Sequence, residues 1–213
     1  MKTTQSEFDS AVLAHEALTE FFPKALETQL VIVDVGAGQP DFYSNTKYFR
    51  SMDSKIISID AMPRNVQMFK DAGFDILHYA VTETDSPSTV LFREFPDAIE
   101  GLAGSTIAEV SDSLLGIEPH LGRVIHYDVP AKSLNSILKE HYPEVKHIDI
   151  LDIDTEGNEI GILNGANLKY YKPKVLIIEN IYEETSGYNE IYENLGYIKY
   201  ARCAHNDILI RKS

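Results

Sequence analysis

"VIVDVGAGQPDFYS", residues 31–44, passes from an unbroken β-branched run through a glycine turn to the polar opening of a helix. Consecutive Val and Ile without polar alternation indicate a strand buried on both faces, as in a parallel sheet covered by helices on two sides. Gly36 permits a tight turn. With Gly38 bare and only a methyl on Ala37, a ligand can approach the backbone beside a positively polarised helix start, and Asp34 precedes that turn. A dinucleotide fingerprint would continue as G-x-G-x-x-G, but Asp41 occupies the third glycine position. An acid beside a pyrophosphate is repelled, so a phosphate ligand is disfavoured.

Outward from this turn, further β-like runs follow at 55–61 ("KIISIDA"), 75–81 ("DILHYAV"), 147–154 ("HIDILDID") and 174–180 ("KVLIIEN"). Helical patterns at 44–52 and 64–73, the latter closed by Gly73, separate the first three and give a βαβαβ alternation. Helices are also predicted at 156–171, with Ile160, Leu163 and Leu168 inward, and at 186–195. "YIKYARCA" and "DILIRK", separated by His205-Asn206, form an antiparallel hairpin at 197–212. Before the first strand, Phe8, Val12, Leu13, Ala17, Phe21, Phe22 and Leu26 take helical spacing over 7–28, broken or kinked at Pro23, so 1–29 is a leading helical segment. Residues 83–130 exceed what a crossover helix needs and carry two β-like pieces, 88–95 and 123–129; they read as an insertion before a helix at 131–142.

A chain of 213 residues with 44% apolar content supports one core, so a single α/β domain over 1–213 is expected. Its 33 acids against 19 bases give a formal charge of −14, which repels nucleic acid and anionic lipid. Cys203 is the single cysteine, which forbids an intrachain disulfide or a thiolate metal cage and suits the cytoplasm. The opening "MKTTQSEFDSAVLAHEAL" has no basic head before an apolar stretch, and no run of eighteen apolar residues occurs, so neither secretion nor membrane insertion is expected. Twelve tyrosines could line a sugar site or a dimer surface equally well, and the oligomeric state stays open.

"IDILDIDTEGNE", residues 148–159, sets Asp149, Asp152, Asp154, Glu156 and Glu159 into a strand that should be buried. Ligands of open parallel sheets sit outside the carboxyl ends of the strands, where Asp154 and Glu156 fall. Glu159 instead suits the positive end of the next helix, which Thr155 can cap, and Asp149 and Asp152 suit pairing with His147, Lys146 or backbone. Asp60, at the end of the second strand, either accepts ribose hydroxyls or caps the helix beginning near Pro63; Ala61 and Met62 either lie along an adenine or belong to the core. Ribose and adenine without phosphates, with a positive centre welcomed by acids, describe S-adenosylmethionine.

"DVGAG", "IDAMP", "YAVTETD", "IDILDIDTEGNEIGILNGA", "KVLIIEN" and "LGYIKYARCAHNDILI" together resemble the FkbM-type class I methyltransferases, from about residue 30 to the end. The resemblance implies a Rossmann-like, mostly parallel seven-stranded sheet of order 3-2-1-4-5-7-6, the last strand antiparallel, with helices on both faces. It also implies S-adenosylmethionine as cofactor, Ala80 in the cofactor set, and methylation of a hydroxyl on a sugar, glycan or other small polyhydroxylated acceptor. Members commonly carry Lys where this chain has Asp152, Leu-Asp where it has Leu134-Asn135, and Gly where it has Gln39-Pro40. Pro40 is compatible with the first turn of a helix.

Methyl transfer to a hydroxyl is an in-line displacement that must orient the oxygen and remove its proton. Asp154, Glu156 and Glu179 could act as bases, raise one another's pKa, or ligate Mg²⁺. His205, in the turn between the last two strands, is a candidate base or an exposed turn residue. His120, His126, Ser105 and Thr106 in the insertion could approach the acceptor. An O-methyltransferase is thus expected; the rivals are a nicotinamide-dependent oxidoreductase, opposed by Asp41 and the hairpin, and a non-catalytic binding module.

Overall fold

The computed structural model describes residues 9–97, 106–107, 123–181 and 187–212. A helix α1 (Ser10–Phe21) and a short 3-10 turn (Pro23–Glu27) precede β1 (Val31–Val35), α2 (Asn45–Arg50), β2 (Lys55–Asp60), α3 (Pro63–Asp71) and β3 (Leu77–His78). Then come β4 (Ala80–Thr82), β5 (Thr89–Glu94), β6 (Thr106–Ile107), β7 (Ile125–Ser133) and α4 (Leu134–His141). The chain continues through β8 (Ile150–Ile153), α5 (Glu159–Gly165), α6 (Leu168–Tyr171), β9 (Val175–Glu179), α7 (Tyr188–Asn194), β10 (Tyr197–Cys203) and β11 (Asn206–Arg211).

Seven strands form the main sheet in the order β10-β11-β9-β8-β1-β2-β3. All described pairs are parallel except those of β11, which runs antiparallel to both β9 and β10. Counted along the main sheet alone, this is the expected 3-2-1-4-5-7-6 order. β1 and β8 lie side by side at the point where the winding reverses, with Val35 beside Ile153.

The alternation along each strand divides the core between the two faces. Val31, Val33, Val35, Leu151, Ile153, Leu176 and Ile178 pack with Leu134, Ile137 and Leu138 of α4 and Ile162 and Leu163 of α5. Ile32, Ile150, Val175 and Ile177 on the other face meet Ala11, Ala14, Ala17 and Leu18 of α1 and Phe49 of α2. Small alanines on α1 let that helix lie close to the sheet.

Three expectations are refined. The run 75–81 is two strands: β3 ends at His78 and the chain crosses at Tyr79 into a second sheet of order β4-β7-β5-β6. β7 extends to Ser133, so the insertion's last strand takes residues 131–133 from the predicted helix, and Ser133 caps α4 by accepting from Ser136 N. The predicted helix 156–171 is also divided, because Asn167 is left-handed at φ +53° between α5 and α6. Pro40 lies well before α2, whose cap is Ser44, so it does not open that helix. No described helix is long and apolar enough to cross a membrane.

Asp34 is the anomaly of β1. It shares a face with Ile32, stands beside Asp152 in register, and is only 6% exposed. Thr46 Oγ1 donates to its Oδ2 at 3.2 Å and Asn45 Nδ2 donates to Asp152 Oδ2 at 2.9 Å. Burial nevertheless raises the Asp34 pKa to about 7, with Thr46 and Arg50 opposing and Asp60 adding to the rise. The folded state therefore holds a proton that the unfolded chain releases near pH 4, and this contribution to stability is lost as pH rises toward about 7. The urea midpoint should fall between pH 5 and pH 8, and Asp34→Asn should flatten that decline. An equal decline in the variant would assign the slope to other groups.

Candidate active site

The centre of the site is a contact between two loops. Gly36 follows β1 with φ +82°, and a Cβ built on it would lie 1.7 Å from the carbonyl oxygen of Asp154. Its N–H donates to Ile59 O at 2.9 Å and that of Ala37 to the same oxygen at 3.2 Å, while Asp154 N–H donates to Val35 O at 3.0 Å. The ends of β1, β2 and β8 are thereby tied together. Glycine is required at 36 by the approach of another loop as well as by the turn.

Asp60 ends β2 and is 5% exposed. Its Oδ1 accepts from Met62 N–H at 2.7 Å; its Oδ2 accepts from Gly38 N–H at 2.8 Å and Asn65 Nδ2 at 3.2 Å. Burial pushes its pKa up to about 6 against the pull of these donors and of His78. The cap position of α3 is Met62 and carries no side-chain bond, so Asp60 does not cap that helix; it fixes the turns at 38 and 62 and borders the cavity beside them. Asn65, which the sequence reading missed, borders the same space with a buried Oδ1 that has no partner among the described residues. Its position in the first turn of α3 gave no signal distinct from an ordinary polar helix residue.

The cavity occupies about 430 Å³ above the carboxyl ends of the strands. Gly36, Ala37, Gly38, Ala61, Met62 and Ala80 border it, with Val81, Phe92 and Ile107 adding apolar surface from the second sheet. Asp154, Glu156 and Glu179 form its acidic end, one carboxylate oxygen from each lying within 4.8 Å of the others. His205 joins them because Asn180 N–H donates to His205 O at 2.7 Å, holding the β10–β11 turn against the end of β9. Phe42, Tyr43 and Ile181, all exposed, stand at the border as well.

Other candidates lie elsewhere. Asp34 does not border the cavity; its carboxylate faces Thr46 beneath the turn. Asp41 is exposed and pairs with Lys47 at 3.4 Å, so the case against phosphate rests instead on the lining, where no Lys or Arg occurs among the described residues. Thr106 borders the cavity and donates to Thr155 O at 3.0 Å. His126 is exposed on β7, away from the lining, and Ser105 and His120 fall outside the described residues. Thr155 does not cap α5; its N–H and Oγ1 both donate to Glu159.

These residues fit a phosphate-free nucleoside carrying positive charge. Asp60 retains a lone pair on Oδ1, Asn65 Oδ1 is an unused acceptor, the neighbouring wall is apolar, and the far end is anionic. The same three carboxylates offer hard oxygen donors suited to a divalent cation such as Mg²⁺.

Comparison with known proteins identifies the family. The family model for the methyltransferase FkbM domain matches residues 34–203. A curated relative, methyltransferase sdnD of Sordaria araneosa, is 30% identical over 74 residues, covering 32% of this chain and 27% of that protein. The match thus spans about a quarter of that relative's length. Among solved structures, a precorrin-6y C5,15-methyltransferase from Geobacter metallireducens GS-15 aligns over 94% of this chain and 87% of its own, with a TM-score of 0.46 and 13% identity.

Gly36→Ala should destabilise the fold by about 3 kcal/mol or more, combining a left-handed backbone with overlap on Asp154. Urea unfolding measures this, and an unchanged midpoint would refute the contact between the two loops.

Proposed function

Because the chain belongs to the FkbM methyltransferase family, we propose that it transfers a methyl group from S-adenosylmethionine to a hydroxyl of a sugar, glycan or other small polyhydroxylated molecule. The observation that carries this reading is one cavity of about 430 Å³ that joins Asp60 and Asn65, with no Lys or Arg in its lining among the described residues, to an acidic end at Asp154, Glu156 and Glu179. The single cysteine and the acidic surface charge favour a cytoplasmic enzyme with no nucleic-acid partner.

S-adenosylmethionine, when bound, supplies an electrophilic methyl on a sulfonium centre. Asp60 then accepts a ribose hydroxyl through its remaining lone pair, and Asn65 Oδ1 accepts a second donor from the nucleoside. Ala61, Met62 and Ala80 keep water from the base. Asp154 and Glu156 favour positive charge at the reacting end. His205 takes the proton of the acceptor hydroxyl at an imidazole nitrogen. Mg²⁺ held by Asp154, Glu156 and Glu179 would supply Lewis-acid activation of that hydroxyl in the same place.

Calorimetry should find saturable binding of S-adenosylhomocysteine, and its absence at millimolar ligand would sink the cofactor assignment. Asp60→Ala should weaken binding at least about tenfold, roughly the loss of one strong charge-assisted hydrogen bond. Wild-type affinity should increase as pH rises through about 6, where Asp60 ionises and becomes a full acceptor. Labelled methyl donor offered with a panel of sugars and extracts, with and without chelator, identifies the acceptor and the metal requirement.

A further inference from the structure

Glu159 is 2% exposed at the first turn of α5 and does not border the cavity. Attraction to a helix start explains an acid at the surface, but one withdrawn from water needs specific donors. They are present. Glu159 Oε1 accepts from Thr155 N–H at 3.1 Å, Thr155 Oγ1 at 3.0 Å and Gly157 N–H at 2.9 Å, and Oε2 accepts from the Tyr188 hydroxyl at 3.4 Å.

The helix start itself is bare of a side-chain cap. Asn158 is the cap residue, yet it makes no such bond and sends Nδ2 to Val81 O at 2.9 Å. The loop before α5 is therefore folded back on Glu159. Within it Glu156 is left-handed at φ +56° and Gly157 stands at φ +113°. A left-handed glutamate is unfavourable unless its surroundings impose it. The consequence is that Asp154, Thr155 and Glu156 all border the cavity, while Glu159 anchors their backbone from behind.

We propose that Glu159 is a positioning residue whose carboxylate holds the 154–158 loop so that Asp154 and Glu156 meet Glu179 at the acidic end of the cavity. What that end binds rests on the methyltransferase reading; the clamp itself does not. The side-chain length is specific, because an aspartate at the same position falls one methylene short of the Thr155 and Gly157 amides. A glutamine keeps the Oε1 acceptor for Thr155 and Gly157, gives up the charge, and can meet the Tyr188 hydroxyl only as a donor from Nε2.

Hydrogen exchange on the ligand-free protein, read by mass spectrometry, tests the clamp. In Glu159→Ala and Glu159→Asp the amides of 154–158 should exchange at least tenfold faster, with 148–153 unchanged, and Glu159→Gln should stay within threefold of wild type. Calorimetry with S-adenosylhomocysteine should show at least a fivefold loss of affinity in the first two variants and rescue in the third. Unchanged loop exchange in Glu159→Ala overturns the proposal, as does a loosened loop with undiminished affinity. If Glu159→Ala does not fold, Thr155→Val removes one of the three donors to Oε1, and a loop protected as in wild type would then count against the clamp. A wild-type protein that binds no S-adenosylhomocysteine, yet shows the expected exchange pattern, overturns the cofactor assignment and leaves the clamp standing.

Discussion

The carbonyl of Asp154 occupies the space that a side chain at residue 36 would need, and the geometry of the candidate site follows from that contact. Because the two loops touch, the end of β1 and the end of β8 cannot separate, and the hydrogen bonds from Gly36 and Ala37 to Ile59 extend the junction to β2. Three strand ends become one rigid floor. Side chains placed on such a floor keep their mutual distances without stabilising one another, which a cluster of like charges could not do unaided.

Charge is the other constraint, and the five acids of residues 148–159 meet it in different ways. Asp149 accepts from Val31 N–H at 2.7 Å and pairs with Lys174 at 2.5 Å, so it joins β1 to β9 through charge compensation. Asp152 is buried and accepts from Asn45 Nδ2. Asp34 stands beside it in β1, and burial, with a smaller addition from Asp60, raises the Asp34 pKa to about 7. Glu159 is surrounded by donors, whereas Asp154 and Glu156 turn to the cavity.

Much of the main sheet was legible because buried parallel strands leave continuous Val and Ile runs and glycine marks the turn at 36. The order of its seven strands came from the family resemblance, since spacing alone does not decide it. The crossing at Tyr79 was not legible: "DILHYAV" is one uninterrupted β-like run, and only pairing partners far along the chain divide it. Gly73 closed a helix as expected, but the left-handed Asn167 that divides the predicted helix 156–171 carried no comparable signal. Asp154, Glu156, Glu179 and His205 were brought to one place because strand polarity fixes the edge at which each run ends. Asn65 and the anchoring role of Glu159 stayed hidden, since neither depends on spacing in the sequence but on which backbone groups the fold leaves within reach.

The chain leaves the main sheet after His78 and rejoins it at β8, and in between β4 and β7 run side by side, Ala80 beside Ala131 and Thr82 beside Ser133. A segment whose departure and return points are already hydrogen-bonded neighbours can change in length and content without disturbing the ladder on either side. Evolution, or a designer, can therefore treat the stretch between β4 and β7 as an exchangeable cassette, recombining new cavity walls with an unaltered floor.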